Sequence, residues 1–226
     1  MKITKKSLLF LGLFIILGLI AIQIPLVNIV GSAKKFTVLE LFGPSVGMLA
    51  GPVIGPIAVL VVKIADSLIK STPFEVVNLL LLLTMPLAAF YFGSKSKWRA
   101  VAPLVCFVLF VTHPVGREAW LYPLYWLIPI VGAFVFRKSL LVKSLGATFV
   151  AHAIGSTVYL YAFGLPAAVW LGLIPQVALE RGFFAVGIWF SYLVMNNLLA
   201  LVVKKFDLKF IERLVNDQYI LLAKLK

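Results

Sequence analysis

Residues 7–30 read SLLFLGLFIILGLIAIQIPLVNIV without a single charge, and uncharged or nearly uncharged runs of this kind follow one another to residue 203. Nothing else in the chain restricts its fold so strongly. A helix needs about 20 apolar residues to cross the ~30 Å hydrocarbon layer of a bilayer, and within lipid only helices and closed barrels satisfy their own backbone. Mean hydropathy is +1.08. Only 13% of the residues are charged, about half the share of a soluble domain. The sequence predicts an all-α polytopic membrane protein, a helical bundle of about six to eight transmembrane helices. Its integral membrane domain covers 1–204, and 205–226 forms a cytoplasmic amphipathic helix.

The apolar runs place spans at 7–30, 37–50, 52–70, 77–94, 100–113, 121–136, 144–164 and 178–203. The first run is too long for a signal h-region and has no clean small-x-small site after it, so it reads as a retained span. Basic residues test the count. With the N-terminus inside, Lys2, Lys5, Lys6, Lys95, Lys97, Arg99, Arg137, Lys138, Lys143 and six tail residues from Lys204 onward fall in the cytoplasm, fifteen in all. Lys34, Lys35, Lys70 and Arg117 fall outside, which is the bias of the positive-inside rule. The net charge of +13 is thus spread as topology signals rather than gathered into a nucleic-acid surface. Both termini are expected in the cytoplasm of a multi-pass protein of the cell membrane.

Glycines recur every fourth residue in GPSVGMLAGPVIGP, at Gly43, Gly47, Gly51 and Gly55. Reading 37–70 as one span breaks the charge parity, so we expect a hairpin turning near Ala50-Gly51-Pro52. Its glycine stripe lets another backbone approach closely, either within the chain or on a partner. Segment 164–177 is bracketed by Pro166 and Pro175 and reads as an interfacial or re-entrant piece with Trp170 at headgroup level. The tail carries Phe206, Phe210 and Leu214 at helical spacing, as a helix on the inner leaflet or on a protein does.

Ionisable groups at bilayer depth face the protein interior or water. Lys63 and Asp66, three apart, share a helix face and can pair, as a self-neutralised couple or as a contact to solute. Glu40, Glu75 and Asn78 fall near the outer interface. VTHPVGREAWLYPLYW (111–126) gathers His113, Arg117, Glu118, Trp120, Tyr122, Tyr125 and Trp126 into an outer loop, as an aromatic belt or as the wall of a pocket for a planar ligand. In AHAIGSTVYL, His152, Ser156 and Tyr159 line one face of one helix near mid-membrane, as interhelical glue or as a ligand-facing stripe. Glu180 and Arg181 are adjacent and diverge by ~100°, so at least one is expected to reach Glu118, Arg117 or bound substrate. Asn196 and Asn197 suit helix–helix hydrogen bonds. Cys106 is the single cysteine, which excludes an intrachain disulfide and any multi-cysteine metal site. No GxSxG, HExxH or phosphate-cradling loop occurs. We therefore expect no enzyme, no cofactor, no metal site and no nucleotide hydrolysis by this chain.

The run FGPSVGMLAGPVIGPIAVLVVKIADSLI resembles the GP-rich second and third helices of the substrate-capture (S) components of energy-coupling-factor transporters. AHAIGSTVYL with the following LIPQVALERGFFAVGI is similar to the last helices of vitamin-type members. Together the likeness covers about half the chain, and the count of up to eight spans exceeds the six usual there. The resemblance implies a compact bundle that binds a vitamin, nucleobase or metal near the outer surface, in complex with a membrane coupling subunit and two cytoplasmic ATPases. The expected function is therefore a substrate-binding membrane subunit of a transporter. It would take a small, planar or vitamin-like solute into an outward-facing cavity walled by His152, Ser156, Tyr159, Glu180, Arg181, Trp120, Trp126, Lys63 and Asp66. Arg181 or Lys63 would neutralise an anionic group, and the Trp rings would stack on a planar one. The competing readings are a scaffold subunit that docks partners on the Gly43–Gly55 hairpin, and a membrane enzyme acting through His152.

Overall fold

A computed structural model of the chain describes residues 5–29, 35–206, 212 and 214–221. Among these the architecture is helical, apart from one antiparallel pair, β1 (Pro25–Asn28) and β2 (Lys35–Thr37), in register Pro25↔Thr37, Val27↔Phe36 and Asn28↔Lys35 with an irregularity after Pro25. This pair corrects the expected spans 7–30 and 37–50. The first helix, α1 (Lys5–Ala21), stops before Gln23 and Pro25, where proline removes a backbone donor. The chain then crosses back as a strand.

Next come α2 (Leu39–Phe42), α3 (Ser45–Ala50), α4 (Ile54–Ile69), α5 (Val76–Leu82), α6 (Thr84–Gly93), α7 (Val101–Thr112), α8 (Pro114–Glu118), α9 (Leu127–Phe134), α10 (Leu140–Phe163), α11 (Ala167–Gly172) and α12 (Ile174–Phe206). Among the described residues, three helical stretches are long and apolar enough to cross a membrane: Val76–Gly93 (α5 and α6 in series), Leu140–Phe163 and Ile174–Lys205. The others are shorter. Leu39–Ala50 rises only ~18 Å at 1.5 Å per residue and is broken at Gly43-Pro44.

α10 is the most enclosed of the three long helices and packs against α6, α12, α9 and α7. Small residues make that possible. The Tyr91 ring lies against Gly146 of α10, where a methyl group would collide with it, and its hydroxyl donates to the Pro129 carbonyl at 2.8 Å beside Gly132 of α9, where a methyl group would meet Val142. Around this core the outward surfaces are apolar. On α12, Leu179, Phe183, Val186, Phe190, Val194 and Leu198 are exposed, while Arg181, Phe184, Ile188 and Tyr192 are buried on the opposite face. An exposed apolar stripe at three- and four-residue spacing on a long helix is what lipid requires and water penalises.

The glycine hairpin turns where expected. α3 ends at Ala50, Gly51 takes φ +96°, and α4 begins at Ile54. Gly47 lies so close to Ala89 of α6, and Gly55 and Gly93 so close to Gly47, that a Cβ at any of the three would overlap backbone. Gly47 is therefore packed on α6 and Gly55 on Gly47 itself, so these two offer no open docking face, whereas a Cβ at Gly51 in the turn would meet nothing within 4 Å.

The C-terminal helix expected over 205–226 falls partly on 207–211, 213 and 222–226, outside the described residues. Of the part that is described, 205–206 finish α12 and 212 is helical, while 214–221 departs from the expected helix as a turn followed by one 3-10 turn, Asp217–Tyr219. Asn196 and Asn197 of α12 clasp this segment. The Asn196 amide donates to the Asn216 carbonyl (3.0 Å) and accepts the Asn216 N–H (2.7 Å). Asn197 does the same with the Tyr219 carbonyl (2.9 Å) and the Leu221 N–H (2.8 Å). Both side chains thus serve a returning chain rather than a neighbouring helix.

Candidate functional site

One hollow dominates the described residues. Its volume is about 610 Å³, and its walls come from the β1–β2 pair, α2, the C-terminal half of α4, α5 and α6, the stretch of α10 from Thr148 to Tyr159, α11 and the first half of α12. α10 supplies its polar face. Thr148, His152, Ser156 and Tyr159 all border the cavity, and their spacing of four, four and three keeps them on one side of the helix.

His152 is held at both ring nitrogens. The Trp126 indole Nε1–H donates to Nδ1 at 3.1 Å, and the Tyr122 hydroxyl lies 2.9 Å from Nε2. Tyr122 also reaches Ser156 Oγ at 3.0 Å, and Ser156 Oγ stands 3.3 Å from His152 Nε2. The result is a closed triangle of His152, Ser156 and Tyr122, braced from behind by Trp126. Among the described residues no carboxylate touches either nitrogen, so none of them gives His152 the acid partner that orients a general base in a triad.

Arg181 forms the second polar centre. Only 2% of it is exposed, and its guanidinium carbon sits 4.4 Å from the Phe36 ring centroid and 4.7 Å from that of Phe184. Its nitrogens meet Thr148 Oγ1 and Glu180 Oε2, both at 3.4 Å, and Nε has no partner. Glu180 accepts in addition from Gln176 Nε2 at 2.6 Å. Of the partners expected for Glu180 and Arg181, namely Glu118, Arg117 or bound substrate, the first two are not reached, and the pair does not point apart as expected. Their long side chains curl together across the ~100° step, and Arg117 and Glu118 are exposed and border no part of the hollow.

The third centre is Lys63 with Asp66, both on the cavity wall. Asp66 does not pair with Lys63. It binds Lys70 at 2.8 Å, one turn further along α4, and accepts from Gln23 Nε2 at 2.7 Å. Lys63 has no ion pair among the described residues.

Of the expected wall residues, His152, Ser156, Tyr159, Glu180, Arg181, Lys63 and Asp66 border the hollow. Trp120 and Trp126 do not. Trp120 is 56% exposed, whereas Trp126 is fully buried behind His152, so neither ring is free to stack on a solute in the hollow. The aromatic surface facing it comes instead from Phe36, Tyr122, Tyr159 and Trp170. Trp170, expected at the headgroups, is 2% exposed and packs edge-on to Phe110 and Tyr122. Thr148 had a signal in the sequence, since it stands one turn before His152 on the same stripe. Tyr122 had one too, as a pocket wall within the aromatic cluster of 111–126, and its place beside His152 comes from the short helical turn at Tyr122–Trp126. Phe36 had none, because strand pairing brings it in.

The chain is 27% identical over 198 residues to an uncharacterized protein of Methanocaldococcus jannaschii, in an alignment covering 78% of this chain and 66% of that relative. The match thus spans just under two thirds of the relative's length. No family model matches the chain, and no solved structure matches it.

Proposed function

We propose that this chain is the substrate-binding membrane subunit of a transporter, capturing a small planar or vitamin-like solute in a cavity that opens away from the cytoplasm. The hollow carries the reading. Its ~610 Å³ falls in the range of small-molecule sites, and its walls combine an apolar surround with a few convergent polar groups on spans. A scaffold subunit gives no reason to form such a space, and Gly47 and Gly55 of its proposed docking stripe are already packed within the chain.

The charge bias sets the orientation. Both termini lie in the cytoplasm of a multi-pass protein of the cell membrane. The cavity is bordered by the helix ends that this bias puts outside: the end of α4, the end of α10 and the start of α12. With the shorter apolar helices counted beside the three long ones, the chain makes six to eight crossings. The resemblance to energy-coupling-factor S components supplies the partners, a membrane coupling subunit and cytoplasmic ATPases, because the sequence holds no nucleotide-binding loop.

Native mass spectrometry of gently purified protein tests the reading. The wild type is expected to carry a small noncovalent mass, and Arg181→Ala to lose it while remaining folded in detergent. A wild type without any such mass contradicts the proposal, and unchanged retention in Arg181→Ala removes Arg181 from the site.

A further inference from the structure

The hydrogen positions around His152 deepen that reading and rest on it. An indole N–H only donates, so Nδ1 of His152 accepts from Trp126. A neutral imidazole then carries its proton on Nε2, and the tautomer is assigned on that ground. Nε2–H donates to the Tyr122 oxygen at 2.9 Å. Tyr122 has one hydrogen, and the acceptor left for it is Ser156 Oγ at 3.0 Å. Ser156 therefore accepts within the triangle, and its own hydrogen is left for the cavity it borders. Trp126, out of sight of the solute, sets the sense of the whole relay.

The same helix face ends in positive charge. Thr148, eight residues before Ser156, contacts the Arg181 guanidinium at 3.4 Å, and a rise of 1.5 Å per residue separates the two positions by ~12 Å along α10. On the cavity wall Lys35, Lys63, Lys70 and Arg181 face Glu40, Asp66 and Glu180. Each carboxylate is already engaged. Glu40 takes the Thr37 N–H and hydroxyl, Asp66 takes Lys70 and Gln23, and Glu180 takes Gln176 beside Arg181. Among the described residues Lys35 and Lys63 are left without an ion pair, and Arg181 Nε is unpartnered. Surplus positive charge at membrane depth calls for an anion.

We propose that the cavity selects an elongated organic anion whose far end is a hydrogen-bond acceptor, a carbonyl or ring nitrogen ~12 Å from its carboxylate. Arg181 and Lys63 hold the carboxylate, Ser156 donates to the acceptor, and Trp170 and Met85 flank the apolar body. Calorimetric titration of the full chain in detergent tests this with three rigid probes: para-acetylbiphenyl carboxylate, its ethyl analogue without the acceptor, and its methyl ester without the charge. The acetyl acid is expected to bind, with the ethyl acid and the ester each about tenfold weaker, the loss of one hydrogen bond or more. Ser156→Ala should erase the acetyl preference and keep the preference for the acid; Arg181→Gln should do the reverse. Nitrogen NMR of the wild-type His152 ring gives a readout free of any folding defect in the variants, with a protonated Nε2 and a bare Nδ1 expected. The opposite tautomer, an imidazolium, equal binding of acetyl and ethyl acids, or no binding of any probe overturns the proposal. The last result leaves the transporter reading intact if the purified wild type still carries a solute in native mass spectrometry.

Discussion

Tyr122 joins His152 to Ser156 through one oxygen, so the hydroxyl is worth more than its area. Tyr122→Phe should leave two polar side chains short of a partner and cost about 1–3 kcal/mol, read as a lower unfolding temperature in detergent, with weaker solute retention alongside. His152, Ser156 and Tyr159 were legible in the sequence because polar groups at helical spacing inside an apolar run have few other uses. Their braces were not legible. Tyr122 and Trp126 stand 30 and 26 residues away from His152, and no local pattern announces that an indole will point its N–H at an imidazole. Lys63 and Asp66 show the same limit from the other side. A spacing of three permits a pair, but Lys70 at i+4 and Gln23 from beyond α1 meet Asp66 instead.

Helices in this chain are positioned by what is missing from their surfaces. Gly47→Ala should be poorly tolerated, at 3 kcal/mol or more, because its methyl group would overlap the backbone of α6 and neither backbone can yield cheaply. Gly12→Ala is the control. Nothing lies within 4 Å of a Cβ there, and alanine should gain ~0.5–1 kcal/mol in helix propensity; paired melting curves separate the two cases. The hairpin turn was readable because glycine and proline leave a chain little choice at Gly51. The returning tail was not. Apolar residues at helical spacing after residue 205 suggest a surface helix, yet Asn196 and Asn197 give four hydrogen bonds to the backbone of the turns at 214–221. Replacing both with Ala should release 214–221, and limited proteolysis should then cut the tail faster than in the wild type. An unchanged rate would show that the clasp does not hold it.

At the scale of the whole molecule, the apolar runs announced the helical architecture, and among the described residues three helical stretches are long and apolar enough to cross a membrane. Where the other runs break was not legible, because a hydrophobic run does not reveal whether a Gly-Pro step or a strand divides it. What makes the bundle more than packed helices is the hollow on one side of α10. The most direct test of it is access. Gly155 borders the cavity, and a Cβ there meets only Thr84, at 4.0 Å, while the end of α10 at Phe163 is ~12 Å beyond it. In a Cys106→Ala background, which removes the one native thiol, Gly155→Cys should react with a membrane-impermeant maleimide added to intact cells. It should stay unlabelled when only the cytoplasmic face of inverted vesicles is exposed. Labelling from the cytoplasmic face alone, or from neither face, would contradict an outward-opening site.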